Sequence, residues 1–590
     1  MKEFFELQND FDFKLEGDKL IPTFKNQNQQ TLTSGQVDNF TTVKKYSTSV
    51  KAYLNNPPQE YSKIVGVDIE TTGLDCFKDR IRLIAVYGDD FSYVGDKLQE
   101  VEDILSDSTV LKVFHNALFD VSFLKVAGIE VKNYSDTIVM AKIISNSAVF
   151  DSLEYLAKKY LNLELDKELQ HSGNWQAELT QEHHDYCLKD AEVTLKLFRV
   201  LYDLIVERYL FPTYRTEISA LPSLIELQTN GMMLDKSELR AYLEKLRVQH
   251  QELKERLEIQ LACENLNSPP QLLKSLQNLG VPIDNVEEKT LKKQSGMFPI
   301  VKELVQYKKL TKVLTTYGEK LLSLIETDNR VRGNWNLIGT ATSRMTCKGP
   351  NFQGIPKEIK GFFHANPGHV FVIVDYSTVE LRILAEISGC KKLIDAFNQG
   401  LDLHYETAKT VLGKEGISDD ERQIGKVINF GLIYGLTAYG LMNEINQIPG
   451  FNINKEEAQN FIDMYFMNYK GVAKYKNQQL KSPMVTTLGG RYWDSSNGLK
   501  LLKDNQRLNY AIQASCAEGL KESLALLMME KKDTWRLVGA IHDELICEVP
   551  EEDAEYAKSV IEKIMINGMR KLVKQVPIEV ESHVSKVWTK

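Results

Sequence analysis

Cysteine is scarce in this chain of 590 residues: the seven, Cys76, Cys187, Cys263, Cys347, Cys390, Cys516 and Cys547, are scattered and no pair has CxxC spacing. That argues against a structural zinc site and a disulfide framework, and suits a reducing compartment. No apolar run reaches the length of a membrane-spanning helix, and the amino-terminal MKEFFELQNDFDFKLEG interrupts with acids what a secretion signal would keep apolar. Glycine (34) and proline (16) are not enriched, and no internal repeat or long low-complexity tract is present, so collagen-like and wholly disordered chains are excluded. Positive charge does not dominate either: 72 Lys+Arg against 81 Asp+Glu leave a net −9, which excludes a uniformly basic nucleic-acid coat but not local basic patches. What is there, 43% hydrophobic and 26% charged residues, describes an ordinary globular chain able to bury cores, and the cysteine pattern with the want of a signal or spanning run leads us to expect a soluble, intracellular protein. At about 100–200 residues per domain it has three to five domains or subdomains.

Residues 1–50 are polar, with NQNQQTLTSGQ at 26–36, and read as a loosely structured lead-in. From Lys63 onward KIVGVDIETTGL, RIRLIAVYG and VLKVF predict buried strands, and helical patterns follow at 119–127, 137–146, 151–160 and 181–207, so 51–205 is expected to be an α/β domain. Residues 217–330 read as mainly helical, 369–377 as a strand, 378–480 as helix-rich, and VGAIHDELICEVP at 538–550 as a hairpin.

Asp68 and Glu70 stand two apart on a predicted strand, so their side chains share a face. Two ionised carboxylates side by side repel, a cost that divalent cations remove. A DxE alone is more often a solvated strand end. Its company matters: HNALFD carries Asn116 and Asp120, and YCLKD places Tyr186 and Asp190 one helical turn apart. This ordered set resembles the 3′–5′ exonuclease domain of the DnaQ-like (DEDDy) superfamily. The resemblance implies a ribonuclease-H-like sheet, with Asp68, Glu70, Asp120 and Asp190 holding two Mg²⁺ or Mn²⁺ ions and Tyr186 orienting the attacking water. Leu74, Asn116 and Asp136 divide evenly between structural support and a grip on a frayed 3′ end.

Asp375 ends the apolar strand VFVIV, and Asp543 and Glu544 sit at a hairpin turn 168 residues later. Either alone is more often a turn or cap acid. Between them, ERQIGKVINFGLIYGL sets Arg422, Lys426, Phe430 and Tyr434 at successive four-residue steps along one helical stripe, cationic at one end and aromatic at the other. Such a stripe suits a triphosphate with its sugar and base against the rings, but the spacing by itself more often marks a salt-bridged amphipathic helix with core-facing rings. DYSxxELR, RxxxKxxxFGxxYG and HDE in this order resemble the three polymerase motifs of family A DNA polymerases, and TATSRMTCKGPNFQGIP at 340–356 resembles the segment before the first of them.

The resemblance spans about residues 60–590. It implies a multidomain α/β protein, a ribonuclease-H-like exonuclease domain followed by a right-hand polymerase: lead-in 1–50, exonuclease 51–205, mainly thumb 206–334, palm 335–387, fingers 388–500, palm again 501–590. Asp375, Asp543 and the Tyr376 carbonyl would bind two metal ions, Glu544 would support them, and Lys426 would give a proton to pyrophosphate. Arg422, Lys426 and His404 would hold the triphosphate. Phe430 would stack near the sugar and base, disfavouring dideoxynucleotides. Glu380, paired with Tyr434, would reject a ribose 2′-OH. Arg344, Asn509, Gln513 and His542 match contacts to the DNA minor groove and primer terminus; Arg382 divides equally between a structural and a primer-side role. The implied partners are primer-template DNA and dNTPs. The implied cofactor is Mg²⁺, two ions at each site, with Mn²⁺ able to substitute. A monomer is expected, in the cytoplasm of a bacterial or phage-infected cell or in an organelle matrix, acting in replication or repair.

Departures from the family pattern are also legible. About 60 residues precede the exonuclease motifs, so the 5′-nuclease domain of larger relatives is expected to be absent. Asn505 stands where many relatives carry Arg, with Arg507 offset by two; Gln513-Ala514 replaces Gln-Gly; and Lys360 replaces an Arg, losing a bidentate phosphate contact. Residues 51–205 carry −10 and 206–590 carry +2, while 289–312 has seven lysines against one acid, a charge run that reads as a solvated face or as a duplex-backbone grip. Two competing readings are a non-catalytic DNA-binding scaffold and an exonuclease whose second half only clamps DNA.

Overall fold

The structure, a computed structural model, describes residues 63–149, 151–166, 175–494 and 502–589, together with two strands ahead of them. The chain divides into a short unit, Met1–Tyr61, and a large one, Ser62–Lys590. In the short unit Phe11–Glu16 pairs antiparallel with Lys19–Phe24. The expectation of loose structure therefore fails at these two strands. FDFKLE alternates apolar and polar residues, so the strand signal was present in a segment whose overall polarity hid it. The rest of the lead-in lies outside the described residues.

The large unit is built around two sheets. The first has five strands in the order Ser92–Gly95, Ile81–Tyr87, Lys63–Thr71, Val110–Phe114, Tyr134–Asp136. Its first three strands are antiparallel, and the last two join in parallel through the helix Ala117–Val126. In the central strand Val65, Val67 and Ile69 are buried on one face. The other face carries Gly66, Asp68 and Glu70 towards the long helix Gln181–Glu207. Gly66 permits that helix to lie unusually close: a Cβ there would fall 2.0 Å from the Ala191 carbonyl oxygen. The close crossing brings the strand's acids under Tyr186 and Asp190.

The second sheet is antiparallel, in the order Arg536–Ile541, Glu544–Pro550, His369–Tyr376, Val580–Ser585. Val370 to Val374 and Leu545 to Cys547 are buried; the helix Ala554–Arg570 packs on this sheet and Asp504–Glu530 packs on that helix. The helix Phe211–Asn230 packs against Asp504–Glu530, and from it the chain runs into the antiparallel pair Lys236–Leu261 and Pro299–Tyr317. Among the described residues, 378–481 holds seven helices, Val379–Ser388 to Lys470–Lys481. The two sheets belong to one compact unit. Lys142, on a helix beside the first sheet, is buried and donates to Asn336 Oδ1 at 3.0 Å and to the Ile338 carbonyl at 3.1 Å. Among the described residues no helix is long and apolar enough to cross a membrane.

Candidate active sites

On the first sheet, Asp68, Glu70 and Asp190 each offer a carboxylate oxygen within 4.8 Å of the others. Three acids this close repel unless cations or protons intervene, and hard oxygen donors of this kind fit a divalent metal. Asp120 stands outside that trio but close to it. It is buried at the first turn of Ala117–Val126, and burial, followed by the charge of Asp68, holds its carboxyl well above the usual carboxylate range. Tyr186 completes the cluster: burial, then the charges of Asp190, Glu70 and Asp68, push its phenol up, so it keeps its proton at any ordinary pH. Its single proton is shared with the Asp190 carboxylate, and exchanging that acceptor lets the phenol donate to a water or a substrate oxygen.

Of the weaker candidates, Asp136 has a structural task. It caps the helix Thr137–Ser145, accepting from Ile138 N and Val139 N, and also accepts from the backbone of Asn116 and Ala117. Asn116 precedes Ala117–Val126 with φ 85°, the left-handed conformation asparagine tolerates. Leu74 is 87% exposed, an apolar side chain in water on the loop following the strand that carries Asp68 and Glu70.

In the second sheet the register settles what a separation of 168 residues leaves open. Asp375 lies directly opposite Glu544, and the Tyr376 N–H donates to the Asp543 carbonyl at 3.3 Å, so Asp375, Asp543 and Glu544 gather at one sheet end. The Tyr376 hydroxyl is buried between Ser523 Oγ at 2.7 Å and the Met565 carbonyl at 2.6 Å, fixing the strand's end. Glu544 accepts from Trp588 Nε1 at 3.3 Å, and Lys360 lies 4.5 Å from the centre of the Trp588 ring. Trp588 was missed from sequence. A lone tryptophan near the chain end carries no local signal of the acid it will meet.

The helix Asp419–Ile433 carries Arg422, Lys426 and Phe430, with Tyr434 as the residue that caps it. Arg422 Nε donates to Asp402 Oδ2 at 2.6 Å. His404, buried at the start of Leu403–Leu412, lies 5.6 Å centre to centre from Phe430. Burial, then Arg422, and more weakly Lys426, lower its pKa to about 4 against the opposing charge of Asp402, so the ring is neutral. Glu380 joins two segments: it accepts from Arg344 Nη2 at 2.7 Å and from the Tyr434 hydroxyl.

Arg344, expected as a DNA contact, is thus ion-paired to Glu380 in this state. The Asn509 Oδ1 is buried with no partner among the described residues, and Thr342 Oγ1 donates to Gln513 Oε1 at 3.4 Å. His542 sits at φ 57° in the hairpin turn, its pKa lowered by burial, then by Arg344 and Lys360. Arg507 donates to the Leu502 and Ser482 carbonyls, so the offset arginine is tied to its own loop. Arg382, left open between two roles, is buried and bonded to the Ser377 and Pro577 carbonyls and to Glu579, a structural brace.

Comparison with known proteins bears on both sites. A family model described as DNA polymerase family A matches residues 236–590, and one described as 3′–5′ exonuclease matches 41–205. DNA polymerase I of Aquifex aeolicus is 32% identical over 581 residues, covering 91% of this chain and 97% of that protein. The DNA polymerases I of Chloroflexus aurantiacus (31% identical, 81% of this chain) and Rhizobium leguminosarum (29%, 84%) are longer: this chain spans about half their length, 54% and 52%. A solved structure, the POL domain of Pol1 from M. smegmatis in complex with DNA primer-template and dNTP, has the same fold, with TM-score 0.79, 23% identity and coverage of 91% of this chain and 98% of that one.

Proposed function

The chain belongs to DNA polymerase family A and carries a 3′–5′ exonuclease domain ahead of its polymerase domain, and from that premise we propose that it extends a primer 3′-OH on a DNA template and trims mispaired 3′ ends, in replication or repair. The observation that carries this reading is the presence of two separate carboxylate sites on one chain: Asp68, Glu70 and Asp190 on the first sheet, Asp375 and Asp543 on the second.

The donor sets suit hard divalent cations, and Mg²⁺, two ions per site with Mn²⁺ able to substitute, would supply the Lewis acidity that activates the nucleophile and neutralises the leaving oxygen. Asp68, Glu70, Asp120 and Asp190 would hold them at the exonuclease site. Asp375, Asp543 and the Tyr376 carbonyl would do so at the polymerase site, with Glu544 steadied by Trp588 alongside. At the exonuclease site the protonated Tyr186 orients the attacking water by donating to it. At the polymerase site Arg422 exchanges Asp402 for phosphate oxygens, a swap of one charge-assisted hydrogen bond for another. Lys426 protonates the departing pyrophosphate, and neutral His404 donates a directional hydrogen bond to the triphosphate. Phe430 stacks near the sugar and base and disfavours dideoxynucleotides. Glu380, held between Arg344 and Tyr434, occupies the space a 2′-OH would need. Arg344, Asn509, Gln513 and His542 meet the minor groove and the primer terminus.

The test is a paired assay, extension of a primed template and degradation of a single strand, on three proteins. The wild type should show both activities in Mg²⁺. Asp543→Ala should lose extension and keep trimming; Asp68→Ala should do the reverse. Undiminished extension by Asp543→Ala would sink the polymerase assignment, and a wild type without extension would favour a clamp or scaffold.

A further inference from the structure

We infer that Asn429 is a positioning residue for nucleotide binding: its buried carboxamide holds His404 in the tautomer that carries its proton on Nε2 and offers it to an anionic phosphate oxygen. The inference rests on the proposed role of His404 as a phosphate contact.

The geometry is that of two helices in close contact. Leu403–Leu412 and Asp419–Ile433 cross where Gly425 has no side chain, since a Cβ there would fall 1.9 Å from the His404 carbonyl oxygen. At this crossing Asn429 is 1% exposed. Its Nδ2 donates to the Leu403 carbonyl at 3.2 Å, and its Oδ1 accepts from Thr407 Oγ1 at 3.0 Å. A backbone carbonyl can only accept, so the amide atom facing it is the nitrogen and the orientation of the carboxamide is settled. The Thr407 hydroxyl in turn lies 3.2 Å from the buried Tyr469 hydroxyl, which holds the network from a third segment.

The same Asn429 nitrogen meets His404 Nδ1 at 3.1 Å. A donor on that side requires the lone pair of Nδ1, which leaves the ring proton on Nε2. Nε2 makes no hydrogen bond among the described residues. The charged groups around the ring are Arg422 and Lys426 from the neighbouring helix and Asp402 at the cap of its own. Next to two cations a third positive charge is disfavoured. The ring therefore serves as a neutral directional donor, and without Asn429 nothing would choose which nitrogen bears the proton.

Two measurements on the full chain test this. With ¹⁵N-labelled histidine and no nucleotide, the wild type should show His404 as the Nε2–H tautomer, unchanged between about pH 5.5 and about pH 8. Asn429→Asp, whose carboxylate accepts rather than donates, should move the proton to Nδ1. In primer extension, Asn429→Leu should raise the KM for dNTP about ten- to a hundredfold, the loss of one hydrogen bond to a charged group, with kcat within about twofold. His404→Ala should raise KM similarly, and the double variant should add nothing further. A wild-type ring protonated on Nδ1, or fully additive penalties, overturns the inference alone. A His404→Ala enzyme with unchanged KM overturns the phosphate reading and the inference with it.

Discussion

Glu380 shows how much one side chain can join. It is 8% exposed on the first turn of Val379–Ser388, just past the strand that ends in Asp375, and it bonds Arg344 from the preceding segment and Tyr434 from the end of the cationic helix. Removing this carboxylate leaves both donors without an acceptor. Glu380→Ala is expected to relax discrimination against ribonucleotides by about ten- to a hundredfold, as loss of a steric and polar barrier worth about 1–3 kcal/mol would do. Parallel kcat/KM measurements with dNTP and rNTP check this, and an unchanged ratio would remove Glu380 from the sugar gate. At this scale the motif acids and the helix stripe were readable because their spacing is local or follows an ordered pattern, while the Glu380–Tyr434 pair, 54 residues apart, was legible only through the family resemblance. Trp588 and Asn429 were not, since each matters only through a partner the fold delivers.

Among elements, a buried ionic network couples the helices Phe211–Asn230 and Asp504–Glu530. Glu217 accepts from Lys521 Nζ at 2.7 Å, Arg491 Nη2 at 2.8 Å and Ser343 Oγ at 2.5 Å, and all four residues are essentially inaccessible. Lys521 also donates to the Ser343 carbonyl at 2.6 Å, holding Ser343 at φ 59° immediately before Arg344. The network therefore ties the loop that presents Arg344 to two long helices. Glu217→Leu strands two buried cations and should cost about 3–5 kcal/mol in chemical denaturation, where an exposed pair would cost under about 1 kcal/mol.

Beside this network Glu518 accepts from Thr487 Oγ1 at 2.7 Å and Gly489 N at 3.0 Å, yet burial dominates and lifts its carboxyl from 4.5 to about 7. A raised folded-state pKa means the native state binds a proton that the unfolded chain releases, so this group's contribution to stability is lost as pH rises from 4.5 towards 7. Melting temperature should fall over that window, and Glu518→Gln, which cannot ionise, should flatten the slope. An unaltered pH profile in the variant would show that Glu518 does not titrate there. None of this network was legible in sequence. Glu217, Arg491 and Lys521 sit far apart along the chain, and each alone reads as a surface charge.

For the whole molecule, the net −9 separates into an acidic first domain and a nearly neutral remainder with a basic strip. The structure puts that strip to several uses. Lys289 pairs with Glu444 at 2.7 Å and Lys293 donates to Asn443 at 3.0 Å, linking 289–312 to the helix Ala438–Ile445, while Lys309 pairs with Glu358. Lys302 and Lys312 are exposed and Lys308 is half-buried. The pairs they make at the surface are weak. Replacing Lys308, Lys309 and Lys312 by Gln should lower DNA affinity and reduce the salt slope by about two to three, and an unchanged slope would return the strip to a solvated face.

Some of this protein was decided by its sequence alone. The alternating KIVGVDIET and the apolar VFVIV dictate strands, since side-chain direction alternates by geometry whatever packs above, and the four-residue stripe from Arg422 dictates a helix with cations and rings on one side. Only the tertiary structure decided that Asp375 stands opposite Glu544, that Gly66 lets Asp190 reach the Asp68 strand, and that Asn429 lies against His404. Pattern along a chain reports the face on which a side chain stands. Which partner it meets across that face depends on sheet register and helix crossing, which belong to contacts between distant segments and to no segment by itself.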